Sequence, residues 1–80
     1  MGIQDVIVKI LEENGIEVDD KGNLLNIDSM GFISAIVGIE QEFEIEFPDE
    51  FLEFGKFDTI KDFVRVVTYI IDKKWVDFYQ

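Results

Sequence analysis

Apolar residues recur along the first dozen positions at the spacing of a helical stripe. Ile3, Val6, Ile7, Ile10 and Leu11 fall on one side, with Gln4, Asp5, Lys9, Glu12 and Glu13 elsewhere. The pattern predicts an amphipathic helix over residues 2–14, closed by Asn14-Gly15, a pair that tolerates the left-handed conformation of a helix end. The period is then lost. Residues 15–27, with the turn formers Asp19-Asp20-Lys21-Gly22-Asn23, are expected to form a long loop. Ile16, Val18, Leu24, Leu25 and Ile27 should anchor it, since a small domain rarely leaves so many aliphatics in water.

Helical periodicity returns at Ser29 and persists to Phe43, with Asp28 placed to cap the helix. There are too many apolar positions for one stripe. Phe32, Ala35, Ile36, Ile39 and Phe43 make a coherent buried face, and Met30, Ile33 and Val37, at i, i+3 and i+7, form a second strip beside it. That strip is either more core or a surface for a partner protein, and the pattern admits both. Gly31 and Gly38 each cost roughly 1 kcal/mol relative to alanine inside a helix, so close approach or bareness is expected at both.

The remainder begins with Glu44-Ile45-Glu46-Phe47, alternating acid and apolar before Pro48, which biases Phe47 away from helix. Residues 49–54 read as a short helix with proline and acids at its start, ended by Gly55. Thr59 and Asp62 resemble a capping box that opens the last helix, whose apolar face is Ile60, Phe63, Val64, Val67, Ile70 and Ile71. The helix can continue through Lys73 and Lys74, whose charge suits a C-terminal end, and an aromatic tail, residues 75–80, follows. The expected fold is all-α: a four-helix bundle of three longer helices and one short one, with a long first loop, in a single domain spanning 1–80.

Composition narrows the chemistry. A chain of 80 residues buries only about 60% of the surface of its unfolded form, which suits a compact bundle working through surface recognition. There is no cysteine and no histidine, so disulfides, thiolate metal sites, a cysteine nucleophile and the commonest general base are all absent. An autonomous hydrolytic enzyme is therefore not expected. Seven basic and eighteen acidic residues give a net charge of −11, which repels nucleic acid and anionic membranes and favours partners with basic patches. No stretch matches a membrane span or a secretory signal, and a cytoplasmic monomer is the expectation. A calcium loop over residues 17–28 fails on chemistry, because Lys21 puts a cation where a ligand oxygen is required and Asp28 stands in place of the bidentate glutamate.

The remaining candidate is Ser29. A serine at the first turn of a helix faces the positive end of the helix dipole, and the unpaired N–H groups of that turn also favour negative charge. A phosphodiester on Ser29 would be held there without a basic pocket. Asp28-Ser29-Met30, Glu40-Gln41-Glu42-Phe43, Ile45-Glu46-Phe47-Pro48-Asp49-Glu50 and Phe57-Asp58-Thr59-Ile60-Lys61-Asp62, in this order and spacing, resemble the signature segments of the acyl and peptidyl carrier protein family across nearly the whole chain.

The resemblance implies that Ser29 carries 4'-phosphopantetheine, attached by a separate phosphopantetheinyl transferase, and that Asp28 helps the transferase position its metal and coenzyme A. The arm would supply the thiol that the chain lacks. The chain itself would be a carrier acting as cosubstrate, not an enzyme. By the same resemblance Met30, Ile33 and Val37 face partners, and Glu40, Glu42 and the acids around Pro48 offer charge to them. Those partners would be a ligase that loads an acyl or aminoacyl group and a downstream synthase, acyltransferase or modifying enzyme. The chain departs from fatty-acid carriers at Met30, at Gly31 and Ser34, where acids are common, at Glu44, where glycine is common, and in its shorter loop before Asp28. These departures favour a polyketide, nonribosomal peptide or aminoacyl-transfer pathway over fatty acid synthesis. The alternative is an interaction module of the same fold that is never modified.

Overall fold

The computed structural model describes residues 2–78, and their side chains except at 54 and 75–78. The aromatic tail singled out above, residues 75–80, lies outside the described side chains, although the helix backbone continues to Phe78. Three α-helices carry the fold: α1 (Ile3–Glu13), α2 (Ser29–Phe43) and α3 (Ile60–Phe78). Each presents one buried stripe. Ile7, Ile10 and Leu11 come from α1, Phe32, Ala35, Ile36 and Ile39 from α2, and Ile60, Phe63, Val67 and Ile70 from α3. Ile16, Ile45, Phe47 and Phe57, from the connections, complete the same core. Phe43, Val64 and Ile71, expected inside, are half-buried against it.

The long first loop is more ordered than its turn-former composition suggests. Glu17–Val18 (β1) pairs antiparallel with Leu24–Leu25 (β2), in the register Glu17 with Leu25 and Val18 with Leu24. The turn between them is tied by Asp19, whose Oδ1 accepts from the backbone N–H groups of Lys21 (2.9 Å) and Asn23 (2.8 Å). Its far end docks on the start of α3. Ile60 N–H donates to the Gly22 carbonyl (2.8 Å) and Leu24 N–H donates to the Asp58 carbonyl (3.0 Å). Gly22 sits at φ 85°, and a β-carbon there would lie 2.9 Å from the Ile60 side chain, so both conformation and space require glycine. Of the five expected anchors, Ile16 is buried and Val18, Leu24 and Ile27 pack partly against the core. Leu25 is exposed, because in a strand alternate side chains point to opposite faces and Leu24 takes the inner one.

The expected short helix over 49–54 is instead two separate 3-10 turns, Asp49–Phe51 and Phe54–Lys56. Three residues make one tight turn without an α-helical ladder, and Glu53, extended at φ −102° and ψ 112°, separates the two. The bundle therefore has three α-helices and a small sheet where four helices were expected. The segment between α2 and the first turn is held by Glu40, whose Oε2 accepts from Phe47 N–H at 2.8 Å.

Two helix ends were read correctly in part. Asp62 does close a capping box: its Oδ2 accepts from the N–H groups of Asp58 (2.9 Å) and Thr59 (3.0 Å), and its own N–H donates to Thr59 Oγ1 (3.4 Å). Lys74 does not terminate α3, which runs on to Phe78; its ammonium donates to the carbonyl of Glu44, the residue that closes α2. Glu44 itself adopts the left-handed conformation, φ 54° and ψ 48°, with the N–H of Glu44 and of Ile45 both donating to the Glu40 carbonyl. A residue with a β-carbon is strained there.

Two outcomes follow. Glu44→Gly should raise unfolding stability by about 1 kcal/mol in denaturant titration, since the backbone carbonyl that Lys74 contacts is kept. For Asp62, partial burial pushes the carboxyl up, but the N–H donors of Asp58 and Thr59, the Thr59 hydroxyl and Arg65 outweigh it and hold the group below its ordinary value. The unfolded chain then takes up this proton first as pH falls. The stabilisation is complete above the ordinary carboxylate range and is lost below about pH 4. Asp62→Ala should cost about 1 kcal/mol at neutral pH and flatten the fall of stability on acidification, read from thermal melts between pH 3 and 7.

Candidate functional site

The chain enters α2 through Asp28, which is extended at φ −129° and ψ 173°. This geometry turns the Asp28 side chain back over the helix start, where Oδ1 accepts from Gly31 N–H at 2.6 Å. The Asp28 carbonyl accepts from Phe32 N–H at 2.8 Å. The first turn is thus closed by two bonds to one residue. It is also pressed against the end of α1. A β-carbon on Gly31 would stand 3.1 Å from Asp28 Oδ1 and 3.4 Å from the Asn14 carbonyl, so the close approach expected at this glycine is present. Gly38 plays the matching part farther along, where a β-carbon would lie 3.0 Å from the Ile10 side chain of α1.

Phe32 anchors the same turn from below. Its ring lies 5.3 Å from Phe57 and 6.2 Å from Phe63, which are themselves 4.5 Å apart. Ser29, the first residue of α2, is exposed at the helix start. Its N–H and that of Met30 belong to the helix start that intrahelical bonds cannot satisfy. A phosphate ester on Ser29 fits this place: those two donors and the positive helix end favour its charge, while the Gly31 N–H is already taken by Asp28. The hydroxyl opens onto a shallow, mostly apolar depression lined by Ser29, Met30, Ile33 and Ser34.

The second apolar strip is resolved by the packing. Met30 is 81% exposed, Ile33 51% and Val37 44%, so these residues are surface and not core. They adjoin Ser29 on one side of α2. The two acids expected to work with them behave differently. Glu40 borders this face, but its carboxylate is engaged by Phe47 N–H. Glu42 is exposed, yet it lies five residues beyond Val37, about 140° round the helix, and does not share the face. What the periodicity did not expose is the support beneath the serine. The cost of glycine at 31 was a signal of close approach, whereas nothing in the local pattern linked Phe57 to Phe32.

Among the described residues no other chemical centre competes with Ser29. Among the described residues, no group of histidine, cysteine, aspartate or glutamate is arranged to hold a metal. The carboxylate of Asp19 in the rejected calcium loop serves the turn, and the N–H of Asn23 above all holds it below its ordinary pKa. Among the described residues no helix is long and apolar enough to cross a membrane.

The sequence model of the family described as "Phosphopantetheine attachment site" matches residues 2–67. An acyl carrier protein of Wolinella succinogenes is 34% identical over 68 residues, covering 81% of this chain and 87% of that protein. One of Helicobacter hepaticus is 35% identical over 71 residues, covering 85% and 87%. No solved structure matches the chain. A capped, exposed serine at a helix start agrees with the match over most of the chain, and the chain belongs to the acyl carrier protein family, whose members carry 4'-phosphopantetheine covalently.

Proposed function

We propose that Ser29 is the attachment point of 4'-phosphopantetheine and that the arm carries an acyl or aminoacyl group as a thioester between biosynthetic enzymes. The observation that supports this most directly is the exposed serine at the first position of α2, on a turn fixed by Asp28 and anchored by Phe32. In the attachment step the Ser29 oxygen bonds to the phosphorus of coenzyme A that bears the pantetheine. The bond from that phosphorus to the nucleotide part breaks, and the hydroxyl proton passes to a base of the transferase, since this chain has no histidine. Once attached, the arm supplies the thiol on which the cargo is held.

Asp28 is then both cap and recognition group. One oxygen holds the Gly31 N–H, and its position beside Ser29 suits it to help the transferase place its metal and coenzyme A. The partners are the transferase, a loading ligase, and a synthase, acyltransferase or modifying enzyme that receives the cargo. The chain works as a cytoplasmic monomer and needs neither nucleic acid nor membrane insertion. Gly31 and Ser34 in place of acids beside Ser29 favour a specialised polyketide, nonribosomal peptide or aminoacyl-transfer pathway over fatty acid synthesis.

Intact mass after incubation with coenzyme A and a broad-specificity phosphopantetheinyl transferase tests the reading. The native chain should gain one phosphopantetheine and Ser29→Ala none, with an unchanged fold by circular dichroism. No gain in the native chain, with the transferase active on another carrier, would favour an unmodified interaction module. Asp28→Asn keeps a capping acceptor and should change stability by less than about 0.5 kcal/mol, while Asp28→Ala costs about 1 kcal/mol. If Asp28 also serves the transferase, transfer to the stable Asn variant should slow at least about tenfold, a loss of about 1.4 kcal/mol in transition-state binding.

A further inference from the structure

Among the described residues other than glycine, two adopt a left-handed backbone, Glu44 and Asn26 (φ 60°). Glu44 closes a helix, where that conformation is common. Asn26 does not: it follows β2 and stands three residues before Ser29. Few residues with a β-carbon enter this region, and asparagine does so more readily than most.

The turn at Asn26 closes a gap whose two ends are fixed. On one side Leu25 is held in the hairpin opposite Glu17. On the other, the start of α2 is pressed on the residues that lead into the same hairpin, where a β-carbon on Gly31 would fall 3.4 Å from the Asn14 carbonyl and 3.8 Å from the Ile16 side chain. Only Asn26, Ile27 and Asp28 join the two. Ile27 packs partly against the core and Asp28 is extended to cap the helix, so the change of direction falls to Asn26. Its side chain is engaged as well. Nδ2 donates to Glu17 Oε2 at 3.0 Å, one residue beyond the last pair of the hairpin. An ionised carboxylate only accepts, so the amide nitrogen is the atom that faces it. Both residues are exposed, and neither adds to the core.

Resting on the reading of Ser29 given above, we propose that Asn26 is a positioning residue for phosphopantetheine transfer: its left-handed backbone, latched by Glu17, sets the direction in which the chain delivers Asp28 and Ser29 to the transferase. It acts through Asp28 and the first turn of α2, not by contact with the reacting atoms. A residue that favours an extended backbone at position 26 forces the compensating rotation into Ile27 and Asp28. The bond from Gly31 N–H to Asp28 Oδ1 is then the first to be lost. Transfer is sensitive to such a change, because a displacement of about 1 Å at a reacting atom can cost on the order of 100-fold in rate.

The test is the rate of phosphopantetheine transfer from coenzyme A, followed by intact mass with a broad-specificity transferase, at a temperature where circular dichroism shows the native chain and each variant folded. Asn26→Val, whose branched side chain disfavours a left-handed backbone, should lower kcat about tenfold with KM little changed. Asn26→Gly enters that region freely and should stay within about twofold of the native chain. Glu17→Ala removes only an exposed latch, remains folded whatever the valine variant does, and should lower kcat about twofold to threefold. Hydrogen exchange gives a readout independent of transfer. In Asn26→Val the Gly31 and Phe32 amides should exchange faster, while those in the middle of α1 and α3 keep the native rate. Native-rate transfer by folded Asn26→Val or by Glu17→Ala, a loss confined to KM, or a glycine variant as slow as the valine one would overturn the proposal. Failure of the native chain to be modified, with the transferase active on another carrier, would instead overturn the reading of Ser29, and amide exchange would still decide whether Asn26 holds the turn.

Discussion

The placement of the helix start that carries Ser29 depends on Phe32, which locks the first turn of α2 onto the core. Both belong to the first turn of α2, and the helix is free to rotate until one side chain commits it. Phe32 does so by entering a cluster with Phe57 and Phe63. Burial of an aromatic ring contributes about 2–3 kcal/mol, enough to hold that turn against the core. With that ring fixed and Asp28 closing the turn, the serine hydroxyl stands at a defined place on the surface.

A chain of this size has little core with which to hold its connections, and it uses polar contacts to backbone instead. Glu40 receives Phe47 N–H, Lys74 reaches the carbonyl of Glu44, and Gly22 and Asp58 exchange backbone bonds with Ile60 and Leu24. Each ties a connection or a helix end to a neighbouring element. Together they satisfy backbone groups that a small apolar interior could not otherwise tolerate near its edge. They also explain why an acid that looked suited to partners, Glu40, is part of the internal framework.

Charge and apolar surface divide the remaining work. The chain is strongly acidic, yet the surface around the site is neutral. The acids past α2 and the apolar strip of Met30, Ile33 and Val37 therefore occupy different regions of the surface. This separation suits a protein that meets several enzymes in turn, since exposed ion pairs add little affinity and release readily.

By itself the sequence determined the three helices, their buried stripes, the Asp28 cap and the candidate serine, because each is a short-range property of spacing or of one residue beside a helix start. It also contained the capping box at Thr59 and Asp62. Tertiary structure decided whether Met30, Ile33 and Val37 were core or surface, since a helix with apolar residues on more than one side reads the same until its neighbours are placed. It decided the engagement of Glu40, which depends on a contact seven residues away, whereas the angle of Glu42 from that face follows from the helix period alone. It replaced the short fourth helix by two 3-10 turns and gave the first loop its hairpin, because bonds from Gly22 and Leu24 to residues near the start of α3 span more than thirty positions that no local pattern can connect. The aromatic support beneath Ser29 is of the same kind: Phe32 and Phe57 meet only when the chain has folded.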